Sequence, residues 1–167
     1  PNLSYKYAPG LFGGDDIISS PPGGTRYFQY KSLIYSNDGE SPSNTYFAMW
    51  GNKTATGGTS YDLFKGVRYC YILLNNIDKV PGMQPDRIRR AKGNALFCIA
   101  YYHMTSLLFY GPTMIVDREL SLNSETATVA KRQPYDACVD FIAKTFDDAA
   151  ALLEPKLGSD EVGMATS

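Results

Sequence analysis

The chain has 167 residues, a length suited to one domain. Its 16 Lys and Arg against 17 Asp and Glu leave a net charge of −1. This balance argues against a nucleic-acid-binding protein, which needs basic side chains for the phosphates, and against an acidic disordered tail. Aromatic residues are the unusual feature, with 13 Tyr, 8 Phe and 1 Trp, and ten of these 22 rings fall within the first 59 residues.

Residues 1–59 show no sustained periodicity. Turn-forming pairs such as Pro9-Gly10 and Gly57-Gly58 recur there, separated by short aromatic runs. Because aromatic rings bury enough area to offset the cost of ordering, we expect an irregular but ordered segment rather than a disordered one. The sequence therefore predicts two parts: an aromatic-, Gly- and Pro-rich segment over residues 1–59 and a helical segment over residues 60–167.

The first predicted helix begins after residue 60, where the apolar residues change to a period of 3.6. Ser60 is a suitable N-cap, and Pro81-Gly82 predicts the end of the helix. One stripe of this helix carries its apolar residues: Leu63, Val67, Cys70, Leu74 and Ile77.

Two further helices follow in the same segment. The second is predicted to begin near Pro85 and to end at Gly111-Pro112, and residues 95–102 are apolar nearly all round, which indicates burial on several sides. The third is predicted to begin at Pro134 and to end by Pro155. Helical hairpins of this size are the units of helical-repeat proteins. Three helices with broad apolar faces suggest that the fold is incomplete alone and continues beyond residue 167.

Side chains suited to catalysis or metal binding are sparse. Cys70, Cys98 and Cys138 form no C-x-x-C pair, and their places in predicted helices indicate buried free thiols rather than a disulfide framework or a zinc site. His103, the only histidine, is predicted to be a hydrogen-bonded core residue. The sequence thus predicts no catalytic residue, no metal site and no cofactor. It also contains no run of 18 apolar residues, which a transmembrane helix would need.

Four segments of the helical part carry a recognisable set of motifs. The second helix reads NALFCIAYYHM and is followed by YGPTMIV. These runs resemble the SusD/RagB family signature, an E-A-x-F-x-R-A-x-Y-Y-x-x-L helix followed by [FY]-G-x-[VI]-P-x. Residues 132–153 are similar to that family's R-x-[SP]-x-x-x-V helix, residues 61–77 to its preceding helix, and residues 163–166 to the G-R-x-T of the next one. The chain departs from these motifs at Asn94 and Met164, where the family has Glu and Arg.

The resemblance implies an all-α, tetratricopeptide-like fold of which this chain is the N-terminal part. It also implies a lipoprotein on the outer face of a Gram-negative outer membrane, held there by a lipid anchor outside this chain. Members of the family capture glycans, and in some cases peptides, and deliver them to a TonB-dependent, SusC-like transporter. The expected role is therefore non-catalytic binding of a glycan or oligopeptide nutrient.

A ligand surface for sugars is predicted in and just after the irregular segment. The face of a sugar ring presents C–H groups that stack on indole or phenol rings, while amide side chains bond its hydroxyls. Trp50, Tyr46 and Tyr61, with Asn52, are the candidate ligand-binding residues. The alternative for each ring is that it anchors a loop over the helical core.

Two other functions remain open from the residues alone. One is an intracellular helical-repeat module that binds a protein partner. The other is a glycoside-processing enzyme, which has the least support because it needs two carboxyl groups placed across the scissile bond. The loop pair Asp15-Asp16 is more typical of solvated turn carboxylates.

Overall fold

Three α-helices and one short 3₁₀ turn make up the regular structure of the described residues. The computed structural model describes residues 62–120, 131–155 and 164–167, all within the compact unit Asp62–Ser167. Helix α1 spans Leu63–Asn76 and runs into the 3₁₀ turn Ile77–Lys79, α2 spans Pro85–Tyr110, and α3 spans Tyr135–Ala150. No strand occurs in these three ranges, so the all-α prediction is confirmed. The predicted irregular segment, residues 1–59, lies outside them.

The start of α1 differs from the prediction. Asp62, not Ser60, is the N-cap: its backbone is extended, and its Oδ1 accepts a hydrogen bond of 3.0 Å from the backbone N–H of Lys65. This carboxylate satisfies one of the N–H groups that the first helical turn leaves without an intrahelical partner. The buried stripe begins at once with Leu63 and Val67 and ends at Ile77 in the 3₁₀ turn.

Helix α2 is the central element, and its predicted ends are confirmed. Pro85 occupies its first turn, and Gly111 ends it with a φ of 69°, a conformation that glycine adopts without strain. Ala95, Ile99 and Ala100 are buried. Burial on more than one side follows because α1 and α3 both pack against α2.

The three helices are antiparallel neighbours in chain order. An ideal Cβ placed on Gly66 of α1 would lie only 2.6 Å from a ring carbon of Tyr102, so the missing side chain leaves room for the Tyr102 ring of α2 against α1. Gly93 has the same role between α2 and α3, where an added Cβ would lie 2.8 Å from Leu153 Cδ2. Further along these two helices, Phe97 of α2 packs edge to face against Phe146 of α3, with ring centroids 5.5 Å apart. The predicted helical hairpins are therefore present.

Helix α3 begins one residue later than predicted, with Pro134 as its N-cap, and a turn follows Ala150. Arg89 of α2 holds this C-terminal turn: its Nη1 donates to the Leu152 carbonyl at 2.7 Å, and its Nη2 pairs with Glu154. A cation at a helix C-terminus also meets the negative end of the helix dipole. The contact closes the α2–α3 hairpin at the end opposite the α2–α3 loop.

The cysteine prediction is confirmed in part. All three thiols are free, and Cys138 is buried at 1% exposure. Cys70 and Cys98, however, are half-buried rather than buried.

Candidate functional site

The candidate ligand-binding residues Trp50, Tyr46, Tyr61 and Asn52 all lie outside the described residues. Their grouping into one surface therefore stays a prediction. What the structure describes is the scaffold that follows them in the chain, and the way in which this scaffold holds the segment after α2.

Residues 111–120, here called the return segment, run back along α1 and α2 after the chain leaves α2. The backbone of Val116 is held on both sides: its N–H donates to His103 Nε2 at 3.1 Å, and its carbonyl accepts from the Tyr71 hydroxyl at 3.0 Å. At the end of the segment, Arg68 Nη1 donates to the Leu120 carbonyl at 2.9 Å. Side chains of α1 and α2 thus supply the partners that a strand of a sheet would otherwise supply.

His103 is the buried centre of this arrangement. Its Nδ1 lies 2.8 Å from the Ile99 carbonyl, which can only accept, so Nδ1 carries the proton and Nε2 is the bare nitrogen that accepts from Val116. Phe64 and Phe141 meet the imidazole edge to face, with ring centroids 6.0 and 4.9 Å away. Burial among these rings lowers the pKa of His103, although the Ile99 carbonyl partly opposes the shift.

The chemistry open to His103 follows from these contacts. Both ring nitrogens are occupied by backbone groups, and the side chain is 1% exposed. The predicted hydrogen-bonded core histidine is confirmed, and its role is to hold the return segment. Among the described residues, no group of three His, Cys, Asp or Glu side chains could hold a metal ion.

Both ends of the α2–α3 connection are anchored. Thr113 is fully buried: its hydroxyl bonds that of Ser106 at 2.8 Å, and its carbonyl accepts from the Gln133 backbone N–H at 2.9 Å. Arg132 Nη1 donates to the carbonyls of Tyr110 and Pro112 at 2.8 and 2.9 Å, which satisfies acceptors at the C-terminus of α2. The motif residues Tyr110-Gly111 and Arg132-Gln133-Pro134 therefore hold the two ends of this connection together.

The far end of the return segment carries exposed polar side chains. Glu119 accepts from Asn75 Nδ2 at 2.9 Å and lies 4.0 Å from the Arg68 guanidinium, and Asp117 pairs with Arg118 at 3.0 Å. Such groups can bond hydroxyls or a peptide backbone at a surface. The sequence alone does not identify this cluster, because nothing in the spacing of α1 shows that Asn75 and Arg68 contact residues 44 and 52 positions later in the chain.

Exposed rings also occur on the described helices. Tyr69 on α1 is 59% exposed and Tyr135 at the start of α3 is 57% exposed. Single exposed aromatic residues are common on protein surfaces, so neither defines a ligand platform by itself. They provide matched control positions for the candidate rings of residues 46–61.

None of the described helices is both long enough and apolar enough to span a membrane.

The three helices and the fixed return segment form a helical-repeat type of scaffold, and comparison with known proteins gives the family. Residues 26–165 match the family model SusD-like_3, described as starch-binding associating with outer membrane. The chain belongs to this SusD-like family, as the SusD/RagB motifs indicated. No curated protein sequence matches it.

Solved structures agree with this assignment. The chain is 29% identical to the protein titled BT4246 (TM-score 0.57), covering 63% of this chain and 18% of that one. A SusD-like protein (BF3747) from Bacteroides fragilis NCTC 9343 is 24% identical (TM-score 0.56; 62% and 20% covered). A laminarin-binding SusD-like protein is 16% identical with a TM-score of 0.72, covering 97% of this chain and 32% of that one.

These likenesses confirm the tetratricopeptide-like helical fold. The chain spans between about a fifth and a third of the length of these relatives.

Proposed function

We propose that this chain is part of a non-catalytic glycan-binding protein of the outer membrane surface. The observation that carries the proposal is the family match over residues 26–165, whose description is starch-binding and associating with the outer membrane. The fold likeness to a laminarin-binding protein supports a polysaccharide ligand. An oligopeptide is the second ligand class to be tested.

The structure supports a scaffolding role for the helices in this function. His103, Thr113 and Arg132 hold the α2–α3 connection, and protein groups occupy both ring nitrogens of His103 and the hydroxyl of Thr113. Ligand contacts then fall to residues outside this framework. Trp50, Tyr46 and Tyr61, with Asn52, are our candidates, because stacked rings and an amide match the two faces of a sugar.

The direct test is binding of the intact protein to starch, laminarin and an unrelated peptide, measured by calorimetry. We expect a polysaccharide to bind and Trp50→Ala to weaken it at least about tenfold, the effect of losing an anchor ring worth roughly 1.5–2 kcal/mol. Tyr135→Ala is the matched control, since it removes an exposed ring from α3 and should leave the affinity unchanged. Equal binding by folded Trp50→Ala, Tyr46→Ala and Tyr61→Ala variants would remove these rings from the site.

The second part of the proposal is delivery to a TonB-dependent, SusC-like transporter, with attachment to the membrane through a lipid anchor outside this chain. A tagged protein purified from detergent-solubilised outer membranes should bring such a transporter with it, and protease added to whole cells should degrade it. Recovery from the cytosol with another protein partner would instead favour the intracellular interaction module.

Absence of catalysis is tested with the same preparation. Incubation with the bound polysaccharide should release no new reducing ends. Hydrolysis that copurifies with the protein and is lost on mutation of a single carboxylate would favour the glycoside-processing enzyme.

A further inference from the structure

His103 lies where the three helices meet the return segment. Phe64 of α1 and Phe141 of α3 contact its ring, and its side chain is only 1% exposed. Its Nδ1 donates to the Ile99 carbonyl at 2.8 Å, and its Nε2 accepts the Val116 N–H at 3.1 Å. Because only a nitrogen without a proton can accept, this contact requires the neutral imidazole.

A proton added at Nε2 is incompatible with this contact. The imidazolium carries an N–H on both ring nitrogens, so it would present a donor to the Val116 N–H across a distance of 3.1 Å. It would also place a charge between two buried rings, and burying a charge is costly. If Val116 moves away, water reaches Nε2 while Nδ1 keeps its bond to the Ile99 carbonyl, so both penalties are removed.

The first half of the return segment is anchored without His103. Thr113 is fully buried: its hydroxyl bonds that of Ser106 at 2.8 Å, and its carbonyl accepts from the Gln133 N–H at 2.9 Å. None of these groups gains or loses a proton between about pH 5 and about pH 8. The first half is therefore expected to stay in place when His103 is protonated.

The second half depends on His103 together with side chains of α1. Tyr71 donates its hydroxyl to the Val116 carbonyl at 3.0 Å, and Arg68 Nη1 donates to the Leu120 carbonyl at 2.9 Å. Residues 114–120 form neither a helix nor a strand, so no ladder of regular secondary structure holds them. Loss of the His103 contact therefore weakens this half locally.

The packing of α2 against α3 has contacts that do not involve the imidazole. An added Cβ on Gly93 would meet Leu153, and Phe97 packs on Phe146 with ring centroids 5.5 Å apart. Gly93 precedes His103 by ten residues along α2, which is about 15 Å at a rise of about 1.5 Å per residue. These contacts can persist when the return segment moves.

Other ionisable groups surround the contact and have to be distinguished from His103. Burial, together with the nearby Asp117 carboxylate, raises the pKa of Tyr71 to about 12, so its hydroxyl keeps its proton in the acid range. The rings that touch the imidazole, Phe64 and Phe141, do not titrate. The remaining groups are Arg68 on α1, Cys138 on α3, and Asp117, Arg118 and Glu119 on the return segment.

We propose that protonation of His103 releases residues 114–120 from the helices while the three helices stay packed. The direction follows from burial: in the closed form the imidazole has a pKa below 6.5, whereas in the open form it meets water and recovers that ordinary value. Above pH 6.5 the ring is neutral in both forms, so opening does not depend on pH; below it, the open form takes up the proton first and becomes more frequent. Release separates Glu119 from Asn75 and so changes the polar surface at the end of the segment.

Hydrogen exchange of the Val116 N–H measures this opening, since this N–H is the group that His103 accepts. The intact protein, labelled with nitrogen-15, is exchanged at about pH 7.5 and about pH 5, and each rate is divided by that of an unstructured peptide at the same pH. An open form with a pKa of 6.5 limits the increase in opening to about 30-fold between these two pH values. We expect an increase of at least about fivefold.

The buried Ile99 and Ala100 amides of α2 report global unfolding in the same experiment. At the lower pH, we expect Val116 to exchange at least about tenfold faster than these two amides after the same correction. Low concentrations of urea should speed exchange at Ile99 and Ala100 but hardly at Val116, because local opening exposes little surface.

Substitutions identify the titrating group. His103→Gln keeps an oxygen that can accept from Val116 but takes up no proton, so opening should become independent of pH. Tyr71→Phe is the matched control: it removes the donor to the Val116 carbonyl and keeps the imidazole, so opening should increase at both pH values with an unchanged ratio. Asp117→Asn and Glu119→Gln should also leave the ratio unchanged.

The ring supplies a readout in the wild type that does not depend on how a variant folds. His103 is the only histidine of the chain, so its nitrogen-15 signals are identified without ambiguity. They should show a bare Nε2 at about pH 7.5 and protons on both nitrogens in the acid range, with proton uptake accompanying the loss of protection at Val116. Proton uptake with Val116 still protected would overturn the proposal. So would exchange of Val116 only together with Ile99 and Ala100, or the wild-type pH dependence in His103→Gln.

Discussion

The strongest quantitative prediction concerns His103, because one side chain joins the helices to the return segment. In His103→Leu, the Val116 N–H loses its acceptor at a position where Val116 is only 6% exposed. A buried donor left without a partner costs about 1–3 kcal/mol. We therefore expect the free energy of unfolding to fall by that amount at neutral pH, where the wild-type imidazole is already uncharged.

The same contact makes the stability depend on pH in a defined direction. Burial lowers the pKa of His103 below its ordinary value of 6.5, so the unfolded chain takes up a proton at a pH where the folded chain does not. The contribution of the neutral histidine is complete above pH 6.5 and is lost as the pH falls below it. At about pH 5 this loss reaches at most about 2 kcal/mol, from 1.36 kcal/mol for each pH unit.

Urea unfolding followed by circular dichroism at about pH 7.5 and pH 5 measures both effects. His103→Leu should be less stable than the wild type at the higher pH, and the difference should shrink at the lower pH because leucine does not titrate. Thr105→Val is the matched control, since Thr105 is equally buried on α2 but bonds only the Tyr101 carbonyl of its own helix at 2.8 Å. A destabilisation no larger than that of Thr105→Val, or an unchanged pH dependence, would refute the reasoning.

Three other contacts between the helices and the α2–α3 connection should contribute measurably to stability. Gly93→Ala should lower the free energy of unfolding by about 1–2 kcal/mol in urea titrations. The reason is that the overlap of the added Cβ with Leu153 outweighs the gain in helix propensity. An increase in stability would contradict this and would mean that α3 moves to accommodate the methyl group. Arg132→Met should cost about 1–2 kcal/mol in the same titration, since two carbonyls at the end of α2 lose a charged donor. Tyr71→Phe should cost about 0.5–1.5 kcal/mol and speed hydrogen exchange in the return segment, because the Val116 carbonyl loses its donor.

The helices could be predicted because their signals are local. Pro85 lies at the start of α2, because proline has no backbone N–H to donate to a preceding turn. Gly111 lies at its end, because glycine adopts the positive φ found there. The start of α1 was mistaken because Ser60 and Asp62 are both good N-caps. The choice between them depends on which side chain meets a backbone N–H of the first turn, and Asp62 accepts from Lys65.

Contacts between distant parts of the chain could not be predicted in the same way. Arg89 lies in a basic run typical of a solvated helix face, yet it bonds the Leu152 carbonyl 63 residues away. The packing of the Tyr102 ring over Gly66 likewise depends on the register of two helices. The sequence identifies such a glycine only once the partner helix is known.

The motif residues themselves explain why family membership says more about the scaffold than about the ligand. Gly111 ends a helix, Arg132 holds that end, and His103 holds the segment that follows. His103 is buried with both ring nitrogens bonded to backbone groups, and Gly111 has no side chain, so neither can select a sugar. Proteins that bind different ligands can therefore share this framework. Our proposal places ligand specificity in side chains outside this framework, so Trp50 and its neighbours are the first positions to mutate.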